Sequence, residues 1–201
     1  MSGPVTVYTI GHSTRGIEDF LKVLKAHGVN CLVDIRSYPQ SRRHPHFGQE
    51  ALTSSLAEAG VRYVWMKELG GRRRMAPSKS RTKGGVPGEK SPHSGVRAEG
   101  FRAYIEHLST EEASQAIEQI LALASTSWVA LMCAEKNYHR CHRQFLADRL
   151  KSLGAKVLHI ENEREPEEHN FHPLLIIREG TLLYPSKEIE LPFETSPKSL
   201  P

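Results

Sequence analysis

The sequence predicts an α/β fold with a mainly parallel sheet of about five strands flanked by helices, a basic flexible loop and a short C-terminal hairpin and tail. Short apolar segments rich in β-branched residues alternate along the chain with segments whose apolar residues recur at helical spacing. The first strand, helix and second strand fit within about thirty residues, which is the βαβ pattern of parallel strands. The expected strands are 5–10, 31–36, 61–66, 128–132 and 156–160.

Helices are expected between these strands. Gly28, Gly60 and Gly154 stand where three helices should end, because glycine readily adopts the left-handed conformation that closes a helix. The segment 109–112 has the capping-box pattern that starts a helix. The expected helices are 17–25, 49–59, 101–108, 109–124 and 144–153.

At 201 residues and 22.6 kDa the chain has the length of one domain. We expect residues 1–160 to form an α/β domain of catalytic type. A basic loop at 71–97 is expected to be mobile, because its apolar content is too low to offset the entropy of ordering. Residues 161–201 should form an acidic linker at 161–168, a hairpin around Glu179-Gly180 and an irregular tail, which pack on the same domain.

Composition limits the classes of partner. The formal charge of +4 and the isoelectric point near 9.0 favour a polyanion such as DNA. Three cysteines and no recognisable signal peptide indicate a reducing, cytoplasmic location. No apolar run approaches the roughly 18 residues that a membrane helix needs, so no membrane partner is expected. The sequence leaves the oligomeric state open.

Three polar clusters follow predicted strands. His12-Ser13 follows the first strand, Asp34 and Arg36 close the second, and Cys133 and Glu135 follow the fourth. The carboxyl ends of parallel strands share one edge of the sheet, where open α/β sheets bind their ligands. The sequence therefore predicts an active site at this edge. Its candidate catalytic residues are Asp34, Glu135, His12, Arg36, Cys133 and His142.

Asp34 has two interpretations. A carboxylate directly after an apolar strand is costly to bury unless it is paired. Arg36 is the expected partner, because residues two apart lie on the same face of an extended chain. The pair either orders the following loop or leaves Asp34 to act as a general base or to stabilise positive charge. Glu135 is the second candidate carboxylate, with the same two interpretations.

The thiols and imidazoles near Cys133 invite comparison with a zinc site. The spacing argues against it, because Cys133 and Cys141 are eight residues apart and no C-x-x-C pair exists. We therefore expect no metal and no other cofactor, and Cys133 has the alternative of being a small core residue. Six residues and no glycine separate Cys133 from Arg140, whereas a tyrosine-phosphatase phosphate loop has five intervening residues and is rich in glycine.

Arg140, His142 and Arg143 lie at a predicted helix N-terminus, where cations oppose the helix dipole. An anion should compensate them, either a bound phosphate or one of the carboxylates Glu135 and Asp34.

Positive charge is concentrated in two loops. Aromatic residues accompany the first loop. A nucleic-acid-binding surface needs both, because cations bind the phosphates and aromatic rings stack on the bases. The alternative is an ordinary solvated surface; we favour nucleic acid. The candidate nucleic-acid-binding residues are Arg42, Arg43, Arg72, Arg73, Arg74, Lys79, Arg81 and Lys83.

Five ordered motifs resemble one family. They are Thr9-Ile10-Gly11-His12-Ser13, Val33-Asp34-Ile35-Arg36-Ser37 with Pro39, Ser41 and Arg42, Leu69-Gly70-Gly71, Met132-Cys133-Ala134-Glu135 with Cys141-His142-Arg143, and His159-Ile160. The chain is similar over about residues 6–160 to the family named domain of unknown function 488. The tail and the basic loop fall largely outside the resemblance.

The resemblance implies DNA repair by an N-glycosylase that excises alkylated bases such as 3-methyladenine. Such an enzyme flips the cationic base out of the helix, stacks it on aromatic rings and uses a carboxylate against the sugar cation. Tyr104 adds to the aromatic supply. The alternatives are a hydrolase of nucleotides or other small phosphate compounds, and a non-catalytic nucleic-acid-binding protein. The candidate substrate-binding residues are Ser13, Tyr38, Ser41, Phe47, Trp65, Tyr138, Arg140 and Arg143.

Overall fold

The predicted α/β class is confirmed by a computed structural model that describes residues 3–73 and 91–186. A six-stranded sheet has the order β3-β2-β4-β1-β5-β6, and all its neighbouring strands are parallel except β5 and β6. A separate two-stranded hairpin, β7-β8, follows it in the chain. The strands are β1 Thr6–Gly11, β2 Cys31–Asp34, β3 Arg62–Trp65, β4 Val129–Cys133, β5 Lys156–Ile160, β6 Glu167–Glu168, β7 Ile176–Arg178 and β8 Thr181–Leu183.

Five α-helices cover the two faces of the sheet, and none in the described ranges has the length and apolar character needed to cross a bilayer. They start and stop close to the expected positions. Thr110 caps α4 by accepting a hydrogen bond from the backbone N–H of Ala113, one residue later than the capping-box pattern at 109–112 predicts. Gly28, Gly60 and Gly154 all have positive φ just beyond helix ends. The helices are α1 Ile17–Ala26, α2 Gln49–Glu58, α3 Glu99–His107, α4 Glu111–Ala124 and α5 Arg143–Ser152.

Alternation along the strands divides the apolar residues between two cores. In β4, Ala130 and Met132 face the core formed with α1 and α2. Val129 and Leu131 face the core formed with α3, α4 and α5. The sheet is thus buried on both faces, which explains why β4 reads as one continuous apolar run.

The segment after β5 differs from the expected linker. Glu167–Glu168 pairs antiparallel with β5 and forms a sixth strand, which two charged residues could not signal by periodicity. The hairpin around Glu179-Gly180 is confirmed, and both of these residues have positive φ, as a tight two-residue β-turn of type I′ requires.

The basic loop is ordered at its end, contrary to the expectation of mobility over the whole of 71–97. Gly95 donates its backbone N–H to Tyr184, and Tyr184 donates to Pro92, so the loop end packs against the chain after β8. His93 and Val96 are buried there. The greater part of the loop, 74–90, lies outside the described residues, as does the tail after 186.

Candidate functional site

The turns after β1, β2 and β4 meet at the carboxyl edge of the sheet. The backbone N–H groups of His12 and Ser13 donate to the carbonyls of Cys133 and Ala134, each at 2.9 Å. Ile35 donates to the carbonyl of Met132 at 3.0 Å. Position 11 must be glycine, because a Cβ atom there would overlap the carbonyl group of Glu135. The polar clusters that the sequence placed at one edge are therefore neighbours.

Asp34 and Arg36 form the expected pair. Arg36 Nε lies 2.9 Å from Asp34 Oδ1, Arg36 Nη2 lies 2.5 Å from Oδ2, and the Arg36 backbone N–H also donates to Oδ1. Tyr63 Oη donates to Oδ2 at 2.8 Å. Burial lowers the pKa of Arg36, but the bond to Asp34 outweighs it and the net shift is upward. Asp34 is fully buried and accepts bonds on both oxygens, which leaves it poorly placed to take a proton from a ligand.

His12 lies beside this pair as a neutral imidazole. Its Nδ1 donates to the carbonyl of Ser13 at 2.9 Å, so its Nε2 is the acceptor that faces Arg36 Nη1 at 3.4 Å. The ring stacks on Phe47 with 4.2 Å between centroids. Burial, and then the charge of Arg36, lower the pKa of His12 to about 4.

Cys133, Cys141 and His142 come together in a second buried cluster. His142 Nδ1 lies 3.8 Å from Cys133 Sγ and 3.5 Å from Cys141 Sγ. His142 Nε2 lies 3.2 Å from the carbonyl oxygen of Ile35, to which it donates. Hydrogen bonding from Cys133 lowers the pKa of the Cys141 thiol despite burial, and His142 contributes. The eight-residue spacing that argued against a metal site conceals this proximity, because a 3-10 turn at Tyr138–Arg140 brings the chain back to the end of β4.

A cavity of about 470 Å³ opens beside the same edge, between the loop after β4 and the chain after β5. Tyr138 stacks on His159 with 3.5 Å between centroids, and its hydroxyl donates to Glu167 at 2.7 Å. The exposed ring of His139 lies 3.9 Å from Tyr138 at an interplanar angle of 33°, so three aromatic rings lie side by side in the cavity wall. Tyr138 is one of the predicted substrate-binding residues, whereas sequence reasoning missed His139, His159 and the side of the cavity formed by 161–167, because it treated 161–168 as a linker.

Arg143 forms the buried side of the cavity. Its guanidinium donates to the carbonyls of Glu135 and Lys136 and lies 3.4 Å from Thr9 Oγ1. Its Nε is buried and has no hydrogen-bond partner within 3–73 and 91–186. The positive charge of Arg143 is thus compensated by carbonyl oxygens and not by Asp34 or the side chain of Glu135. Glu135 Oε1 instead accepts from the backbone N–H of Asn137.

A buried hydrogen-bonded chain, the Thr9–Asp148 relay, runs beneath the cavity. Thr9 Oγ1 lies 2.7 Å from His159 Nδ1, His159 Nε2 lies 2.9 Å from His169 Nδ1, and His169 Nε2 lies 2.9 Å from Asp148 Oδ1. Since the carboxylate only accepts, His169 Nε2 donates to it, and a chain in which each group donates toward Asp148 satisfies every member. Burial, with His169 and Arg143 nearby, lowers the pKa of His159 to about 2. Sequence reasoning missed the relay. Its detectable signal is Asp148, an acidic residue three positions after Phe145 on an apolar helix face.

The remaining aromatic candidates differ in how exposed their rings are. Tyr38 is 69% exposed, and Trp65 is partly exposed while its Nε1 donates to the carbonyl of Arg36. Phe47 is fully buried between His12 and Phe20, so it presents no face to a ligand. Tyr104 is also fully buried and donates to the carbonyl of Leu69.

The other polar candidates lie mainly in surface loops. Arg42, Arg43, Arg72 and Arg140 are exposed. Arg73 is held by the carbonyls of Glu68 and Gly70, so it is less free to bind a phosphate. Ser41 accepts a bond from the His44 backbone, and half-buried Ser13 has a φ of 53°. Four predicted cations lie outside the described residues: Arg74, Lys79, Arg81 and Lys83.

Comparison with known proteins gives one finding. A family model described as domain of unknown function DUF488 matches residues 16–150, which is well over half of the chain. The motifs at 9–13 and 159–160 lie outside that span. Comparison with curated proteins and with solved structures finds no match. From this match, the chain belongs to the DUF488 family.

Proposed function

We propose that the protein is a hydrolase that acts on DNA and excises alkylated bases, as an N-glycosylase of the 3-methyladenine type. One observation carries the proposal. A cavity with an aromatic wall and several carboxylates opens at the same edge of the sheet as the exposed arginines of the β2 and β3 loops.

The cavity suits a flipped, cationic base. Its volume of about 470 Å³ lies within the range of roughly 300–1,000 Å³ that proteins use for small ligands. A base can stack on the exposed side of His139. Glu161, Glu165 and Glu167 line the cavity and provide negative charge for a methylated purine. Three cations, Lys136, Arg143 and Arg164, line the cavity as well, and Glu161 pairs with Lys136 at 2.5 Å.

In this proposal the exposed cations of the loop after β2 contact the flanking phosphates. Three strand intervals separate β2 from β5 in the sheet, and at about 4.8 Å per interval they span about 14 Å. At about 3.4 Å per nucleotide, that distance covers roughly four stacked nucleotides. Arg42 and Arg43 thus serve to hold the strand while one base enters the cavity.

The catalytic carboxylate is Glu135 in this proposal. Asp34 is occupied by Arg36 and Tyr63, whereas the Glu135 side chain is exposed on the loop that borders the cavity. Water adds to C1′ of the sugar as the glycosidic bond breaks. The base leaves with the bonding electron pair and becomes neutral, and Glu135 accepts the proton of the water.

Base release is the first test. The full chain is incubated with DNA carrying 3-methyladenine, and mass spectrometry measures the free base. We expect Glu135→Gln to slow release about a hundredfold, the lower end of the effect of removing a general base. Glu118→Gln, on the exposed side of α4, should leave the rate unchanged.

Three outcomes contradict this assignment. Intact bases with cleaved phosphodiesters would indicate a nuclease. Loss of release in Glu167→Gln but not in Glu135→Gln would move the catalytic role to the cavity carboxylate. No release by the wild-type protein, with DNA affinity retained in Glu135→Gln, would indicate a binding protein without this activity.

Binding at the arginines is tested separately by salt titration. Each phosphate contact contributes about 0.9 to the slope of log affinity against log salt. The double variant Arg42→Gln/Arg43→Gln should bind DNA more weakly and with a slope smaller by about 1.8. Arg62→Gln/Lys156→Gln is the matched control, because it also removes two exposed cations, which lie at the opposite end of the parallel strands. An equal loss in both variants would show that the effect comes from net charge alone.

A further inference from the structure

We propose that Cys133, Cys141 and His142 bind a thiophilic divalent cation of the zinc type. Their ligand atoms, two Sγ and one Nδ1, all lie within 4.8 Å of one another, and all three side chains are buried. The site is independent of base excision, because none of its ligands lines the cavity.

The spacing of the ligand atoms suits a single zinc ion. Zinc lies about 2.3 Å from sulfur and about 2.0–2.1 Å from imidazole nitrogen. Bond angles between tetrahedral and trigonal then separate sulfur from nitrogen by about 3.5–3.8 Å. The separations from His142 Nδ1 are 3.5 Å to Cys141 Sγ and 3.8 Å to Cys133 Sγ. An ion can therefore bind with little movement of the chain.

The imidazole is already in the form and orientation that a metal needs. His142 Nε2–H donates to the carbonyl of Ile35, so the lone pair of Nδ1 faces the two thiols. Metal-binding histidines are commonly fixed through their other nitrogen in this way. Gly71 lies against the ring so closely that a Cβ atom would overlap it, and the Tyr104 ring packs edge-on at 5.0 Å. These contacts hold the ring in place before any ion arrives.

The donor set and its charge select the ion. Thiolate and imidazole ligands favour zinc over magnesium or calcium, which prefer oxygen. Two thiolates and one divalent ion sum to zero charge, which suits a buried site. Three protein ligands leave the fourth coordination position of the ion open. Catalytic zinc centres have three protein ligands, whereas structural centres have four.

Cobalt binding tests the site in the wild-type protein. The reduced full chain is stripped with a chelator and titrated with Co²⁺ without oxygen. We expect thiolate-to-cobalt charge-transfer absorption that saturates at one equivalent and disappears when Zn²⁺ is added. Cys133→Ser and Cys141→Ser should each weaken or abolish the band. Cys31→Ser should retain it, because Cys31 is an equally buried thiol of β2 that lies outside the cluster.

The proposal is overturned if the reduced wild-type protein shows no charge-transfer band, or if the band survives both substitutions. A Cys133–Cys141 disulfide together with no cobalt uptake after reduction would also overturn it and would indicate a redox pair. The wild-type titration does not depend on the folding of any variant. Since base release is assayed on different residues, failure of one proposal leaves the other standing.

Discussion

Replacing Asp148 by alanine is expected to lower the free energy of unfolding by about 3–5 kcal/mol, because it removes a buried acceptor shared by several donors. Asp148 is fully buried and accepts from His169, from the backbone of His172 at 3.0 Å and from the Tyr184 hydroxyl at 2.9 Å. Burial, followed by the charge of Asp148, raises the pKa of Tyr184 above its ordinary value, so the hydroxyl remains a donor. Without the carboxylate these donors stay buried and unpaired. Urea unfolding measures the loss.

Asp19→Ala is the control for this experiment. Asp19 is exposed in the first turn of α1, where its removal should cost at most about 1 kcal/mol through the helix dipole. If Asp148→Ala costs no more than the control, the donors have other partners and the Thr9–Asp148 relay does not anchor the C-terminal segment.

Replacing Arg36 by methionine is expected to cost a similar amount, about 3–5 kcal/mol, because Asp34 is left as a buried charge without a cation. In the described part of the chain, only Tyr63 and the residue-36 backbone N–H would still donate to it. Adding Asp34→Asn to the Arg36→Met variant should recover part of the loss, since the uncompensated charge is then removed. Urea unfolding of the single and double variants completes the cycle.

The same cycle decides between the two interpretations of the pair. A large loss of stability that Asp34→Asn partly restores supports a pair that orders the loop after β2. An Arg36→Met variant that unfolds like wild type but releases no base would instead assign Arg36 to substrate. Arg62→Met, which alters an exposed arginine of β3, should change neither property.

Much of the fold could be predicted because its signals are local. The apolar runs, the glycines after helices and the cap at Thr110 each depend on a few adjacent residues. Strand order could not be predicted in this way. β4 lies between β2 and β1, and this arrangement depends on how the long connection through α3 and α4 packs.

In the site, too, only the local arrangements could be predicted. Asp34 and Arg36 pair because residues two apart in an extended chain share a face. Asp148 had a signal in the sequence, but its link to Thr9 could not be inferred, since Thr9 and His159 are 150 positions apart and each looks like an ordinary strand residue. The thiol cluster was hidden for a different reason: motif spacings describe familiar turns, and the turn between Cys133 and Cys141 is not one of them.

The strand pairing also bears on how the protein can be divided. The span that identifies the family, 16–150, contains neither β1 nor β5, although β1 is the strand that joins β4 to β5. A fragment limited to that span would end its sheet at the open, apolar edge of β4, a surface prone to intermolecular pairing and aggregation. It would also lack Leu182 and Tyr184, which complete one core. The recognisable part of the chain is therefore smaller than its autonomous folding unit, and subcloning should include residues 5 to 186 at least.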